Sequence, residues 1–121
     1  MSLEAFYESI SGDLAEVRSH LLTDERVTKF VKMFFDDPVN AQLCGAIEND
    51  DMEAAFRAAH TLKGLAIGMG FTALHDAACA LTEALRPNDA GQPSEPDQVR
   101  PLFDKVEQEY EAVTTAYEAS F

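Results

Sequence analysis

Hydrophobic positions recur every three or four residues along nearly the whole chain, and no stretch alternates with the period of a strand. A short helix is expected over about residues 3–10, and a second over 13–21 with Leu14, Val17 and Leu21 as its stripe. Thr23 or Asp24 suits the N-cap of the next segment, where Val27, Phe30, Val31, Phe34 and Phe35 repeat at helical spacing. The tripeptide "DDP" then interrupts the pattern. Asp37 reads as an N-cap and Pro38 as a first helical residue, and Val39, Leu43 and Ile47 carry the helix on to the turn "ENDD".

Asp51 opens a central helix with the stripe Met52, Ala55, Phe56, Ala59, Leu62 and Ala66, and Gly70 is its expected stop. Phe71, Leu74, Ala77, Ala78, Leu81 and Leu85 define the following helix. The turn-rich stretch "RPNDAGQPSEP" predicts a loop over 86–94, after which Ser94 and Pro96 start the last helix. That helix carries Val99, Leu102, Phe103, Val106, Tyr110, Val113 and Tyr117. The expectation is an all-α fold: an antiparallel up-down four-helix bundle over about 24–119, with short N-terminal helical additions at 3–21. A chain of 121 residues accommodates this as a single domain spanning 1–121.

Composition narrows the class of partner. The formal net charge is −13, which disfavours nucleic acid and anionic membrane surfaces. No apolar run approaches a membrane span and no leader pattern is present, so a cytoplasmic protein is expected. Cys44 and Cys79 lack metal-ligand spacing and read as buried free thiols. No Glu sits three residues before His20, His60 or His75, so the ligand pair of di-iron bundles is missing and no metal site is expected.

The central helix breaks local rules around His60. At about 100° per residue, His60 lies at the boundary of the stripe, on the same side as Arg57, Lys63, Gly64 and Ile67, with Gly68 at the edge. Glycine in a helix costs roughly 1 kcal/mol relative to alanine, so Gly64 one turn after His60 calls for a reason. From Ala54 to His75 no carboxylate occurs, although the chain is acidic. An exposed imidazole, a cation one turn away and cleared space suit an anion arriving at His60, and neutral imidazole is nucleophilic near physiological pH. His75 reads as a boundary residue and His20 as surface.

The stretch "FRAAHTLKGLAIGMGFTALHDAACALTEALR" strongly resembles the histidine phosphotransfer (HPt) domain. Its hallmark is A-H-x-L-K-G followed by a glycine six residues on. Phe56, Ala59, His60, Leu62, Lys63, Gly64, Gly70, Leu74 and Leu81 fall on matching positions. The resemblance implies a bundle that accepts a phosphoryl group on His60 and relays it between aspartates of receiver domains. It implies phosphate stabilisation by Lys63, steric access at Gly64 and a second cation at Arg86. Relatives often carry Gln or Glu at position 82 to orient the imidazole, which makes Thr82 the candidate here, and Ser or Asn at position 68, which is glycine.

Receiver domains present an acidic pocket ringed by apolar residues. Arg57, Lys63, Leu65, Ile67, Gly68 and Phe71 are therefore the candidate partner-binding residues, joined by Phe34 or Phe35, whose simpler reading is core. The implied partners are response-regulator receiver domains, with a hybrid histidine kinase as a further candidate. No cofactor is expected, magnesium arriving only with the receiver. No glycine-rich nucleotide motif is present, so the chain reads as a phosphocarrier with a covalent phosphohistidine intermediate. The start at Met1 favours a free-standing bacterial HPt. The alternative is a pseudo-HPt adaptor that binds receivers without carrying phosphate.

Overall fold

The computed structural model describes residues 2–87 and 95–121. Among them the elements are all helices: α1 (Leu3–Ser9), α2 (Leu14–Leu21), α3 (Asp24–Asp36), α4 (Val39–Glu48), α5 (Met52–Gly68), α6 (Thr72–Leu85) and α7 (Pro96–Ser120). None is long and apolar enough to cross a membrane. The predicted loop over 86–94, and with it Ser94, falls largely outside the described residues.

Side-chain caps place most helix starts where the sequence put them. Thr23 accepts from the Arg26 N–H and Asp51 from the Ala54 N–H, each satisfying a donor the helix leaves free. At the "DDP" break the helix begins one residue later than expected, at Val39. Pro38 rather than Asp37 is the N-cap, and Asp37, one residue before it, accepts from the Val39 N–H through Oδ1 at 2.9 Å.

The bundle runs up-down-up-down, and its first member is α3 and α4 in series. Phe35 stacks on Tyr117 at 4.5 Å, Phe34 faces Tyr110, and further along Asn40 and Cys44 both bond Glu107. Ascending positions on α3–α4 thus meet descending positions on α7, which makes the two antiparallel. In turn α5 packs on α4 and α6, and α6 packs on α7. The shared core includes Val31, Leu43, Leu62, Leu74, Leu81 and Val106, all fully buried. Each such side chain contributes about 1.5–3 kcal/mol of burial.

The N-terminal helices are more than additions to this bundle. Phe6 and Tyr7 of α1 are buried, and Phe6 meets Tyr7, Phe71, Tyr117 and Phe121 edge-on. The Tyr7 hydroxyl donates to the Met69 carbonyl at 2.7 Å, and burial pushes its phenol well above the ordinary range. The Asp13 N–H donates to the Gly70 carbonyl at 2.9 Å. Together these contacts clamp the turn that ends α5.

That turn requires glycine. Gly70 has φ +72°, and a Cβ there would lie 2.7 Å from the Asp13 carbonyl oxygen. Phe71 N–H donates to Ala66 O and Gly70 N–H to Ile67 O, the paired bonds of a Schellman cap. The expected stop at Gly70 is therefore observed, with the last regular helical residue at Gly68. Both cysteines are only half-buried, which corrects their expected full burial. Each has a polar neighbour, Glu107 for Cys44 and His75 for Cys79, that keeps it at the bundle edge.

Candidate functional site

The site is built on the exposed side of α5. At about 100° per residue, Phe56, His60, Lys63 and Ile67 fall within a narrow stripe, with Gly64 beside them. This stripe lies about 100° round the helix from the buried line of Ala55, Ala59, Leu62 and Ala66, at the boundary between core and solvent. His60 is exposed, and its imidazole makes no hydrogen bond or ion pair among the described residues. Its one ring neighbour is Phe56, four residues earlier, with centroids 6.4 Å apart and planes 28° from parallel.

Beyond His60 the helix surface is open. Among the described residues, a Cβ placed on Gly64 or Gly68 would meet nothing within 4 Å. Neither glycine is needed for a close approach inside the chain, so the cleared space serves nothing within the fold. Gly64, Leu65, Gly68 and Met69 form one wall of a groove of about 340 Å³, closed on the far side by Phe30, Met33 and Phe34 of α3.

Cations distribute unevenly around this surface. Lys63 is half-buried, Arg26 and Lys29 on α3 are exposed, and none of the three forms an ion pair among the described residues. Arg57 is exposed but engaged, its Nη1 bonding Glu53 at 3.0 Å. Arg86 is also engaged, donating from Nε and Nη2 to the two carboxylate oxygens of Glu83. That guanidinium holds the Glu83 carboxyl below the usual carboxylate range, with a smaller contribution from the charge of Lys63. Arg86 Cζ also lies 5.3 Å from the centre of the Phe56 ring, the ring that stacks on His60.

The backbone at Lys63 is tied to α6. His75 donates from Nδ1 to the Lys63 carbonyl at 3.1 Å, and Cys79 Sγ lies 3.3 Å from His75 Nε2. His75 is thereby the boundary residue expected of it. His20 is exposed and bonds Glu16 on its own helix.

Several sequence expectations are corrected here. Thr82 is fully buried, its hydroxyl donates to the Ala78 carbonyl at 2.7 Å, and it makes no hydrogen bond to the exposed His60 imidazole. Phe71 is fully buried in the aromatic cluster at the start of α6, which removes it from any docking surface. Phe34 is buried too and Phe35 half-buried, in keeping with their core reading. Phe56, placed in the core stripe from periodicity, is only half-buried at the edge.

Ile67 and Gly68 are exposed, Ile67 to 48%, while Leu65 is half-buried and packs against the core. The apolar surface missed by sequence reasoning is on α3 and just before it: Leu22 is 72% exposed, Met33 50% and Phe30 39%. A signal existed. Val27, Val31 and Phe34 already complete a core stripe at i, i+4 and i+7, which turns Phe30 and Met33 off that line.

Searches of curated proteins and of solved structures returned no match to the chain. A model of the Hpt domain matches residues 2–116, from the clamp of α1 to the last turns of α7. The match covers nearly the entire helical bundle and the His60 face it displays, and the chain belongs to the Hpt domain family.

Proposed function

We propose that His60 accepts a phosphoryl group from the aspartyl phosphate of one receiver domain and passes it to the aspartate of another. Membership of the Hpt family gives the chain a phosphotransfer role in phosphorelay, as a carrier and not a kinase. The assignment to His60 is carried by one observation. Among the described residues it is an exposed imidazole with no polar partner, beside a glycine whose missing side chain opens onto empty space.

In the forward step the unprotonated ring nitrogen of His60 attacks phosphorus. The bond from phosphorus to the aspartyl oxygen breaks, and the carboxylate leaves with the electron pair. The ring keeps its N–H and becomes cationic, while the phosphoryl oxygens carry negative charge that the unpaired Lys63 ammonium stabilises. The second receiver's carboxylate reverses these events. Gly64 supports the reading by leaving room for the partner's acidic pocket to close over His60. The apolar rim of Phe30, Met33, Leu65 and Ile67, with unpaired Arg26 and Lys29 near it, matches an acidic pocket ringed by hydrophobic residues.

Intact mass after exposure to phosphorylated receiver domains tests this, on wild type and His60→Gln in parallel. The expected result is an acid-labile gain of one phosphoryl group in wild type alone. Receiver binding with no gain from any donor would replace the carrier by the adaptor. A gain that persists in His60→Gln would move the acceptor elsewhere.

A further inference from the structure

We infer that Phe56 is the positioning residue for His60, holding the imidazole by ring stacking in place of a hydrogen bond from a polar side chain. The inference rests on the phosphoryl-acceptor reading and adds to it the means by which the acceptor ring is aimed.

A nucleophilic imidazole must keep one nitrogen in line with the breaking P–O bond, and a ring free to rotate spends little time there. Nothing polar in the described residues fixes His60, and Thr82 has turned its hydroxyl to Ala78. Stacking is what remains. The Phe56 and His60 rings are offset and nearly parallel at 6.4 Å, inside the range of roughly 4.5–7 Å over which aromatic rings attract.

Phe56 is itself placed. Arg86 lies over its ring, and two bonds to Glu83 hold Arg86. A line of contacts therefore runs from the end of α6 through Glu83, Arg86 and Phe56 to the imidazole on α5. The half-burial of Phe56 fits this use, since a side chain serving the core alone would be covered. Stacking also suits the chemistry. It touches the face of the imidazole and leaves both nitrogens at the ring edge free, whereas a hydrogen bond occupies one of them.

The experiment compares Phe56→Leu and Phe56→Tyr with wild type by two readouts. The first is the NMR signals of the His60 ring protons, which a stacked aromatic ring displaces and whose relaxation reports ring mobility. The second is single-turnover transfer from a phosphorylated receiver, resolved into maximal rate and half-saturating receiver concentration. Phe56→Leu should move the His60 ring signals toward free histidine and lower the maximal rate roughly 3- to 10-fold, the worth of one aromatic pair. Half-saturation should stay within about twofold, and Phe56→Tyr should restore both readouts, because the tyrosine ring stacks as well.

Unchanged His60 signals in Phe56→Leu overturn the inference, as does failure of Phe56→Tyr to restore the rate. A raised half-saturation at unchanged maximal rate also overturns it, since Phe56 would then be a docking residue. If wild type accepts no phosphoryl group from any donor, the acceptor reading fails, and the His60 signals still decide the role of Phe56. Should Phe56→Leu fail to fold, Phe56→Met supplies the ring-free comparison on the same criteria.

Discussion

The Thr82 hydroxyl donates to the carbonyl oxygen of Ala78 at 2.7 Å and stays within its own helix. It is the one buried polar side chain in the described core, and an internal bond of this kind satisfies it without reference to His60. Thr82→Val should therefore leave phosphoryl transfer within about twofold of wild type and cost about 1 kcal/mol of stability, the net worth of one hydrogen bond. Transfer rates and urea melts on the same preparation check both halves. A large loss of rate at unchanged stability would restore Thr82 to the site.

Gly64 separates stability from function. Its Cβ position is empty, so Gly64→Ala should stabilise α5 by about 1 kcal/mol through helix propensity alone. The added methyl group lies one turn from His60, where the partner's pocket is expected to close. Phosphotransfer should therefore slow while the melting temperature rises, and Gly64→Leu should slow it further. Equal transfer in all three proteins would remove steric access as the reason for this glycine.

Phe30, Met33 and Ile67 are exposed, so truncating them removes little internal packing. Each alanine variant should keep its stability within about 0.5 kcal/mol, as surface substitutions usually do. The same variants should weaken receiver binding by about 1–2 kcal/mol each if they form the docking rim. Phe71→Ala should do the reverse. It empties part of the aromatic cluster and should cost about 3–5 kcal/mol of stability, with no direct effect on the rim. Calorimetric titration with a receiver, beside thermal melts, distinguishes the two groups.

The thiol of Cys44 is pushed up to about 12 by burial first and then by its hydrogen bond to Glu107 and that carboxylate's charge. The folded state thus resists ionising it, while the unfolded chain loses the proton near 9. Stability is fully present below that lower value and is lost as pH rises between the two. Cys44→Ser keeps a hydroxyl donor for Glu107 and does not ionise in this window, so its stability should fall less steeply above about pH 9. Urea unfolding across the alkaline range gives the slopes. At neutral pH Cys44 should also resist alkylation, and Glu107→Gln should speed it.

Much of the fold was legible because local rules agreed with one another. The 3.6-residue period, the caps at Thr23 and Asp51 and the left-handed Gly70 each mark a helix end by chemistry confined to a few residues. His60, Lys63 and Gly64 were legible for a similar reason. An acid-free window, an exposed histidine and an unexplained helical glycine all sit within two turns of one helix.

The sequence by itself determined the helices and their order, and it singled out His60 as the residue proposed to accept a phosphoryl group, since these depend on neighbours one turn away. Only the tertiary structure decided which side chains of different helices meet. It buried Phe71 among aromatic residues from α1 and α3, and left Phe30 and Met33 uncovered beside Gly64 and Gly68. It also brought Arg86 of α6 over Phe56 of α5, next to His60. The physical reason is that a helix stripe fixes which residues can face inward, while the rotation and packing of the neighbouring helices fix what each of them touches.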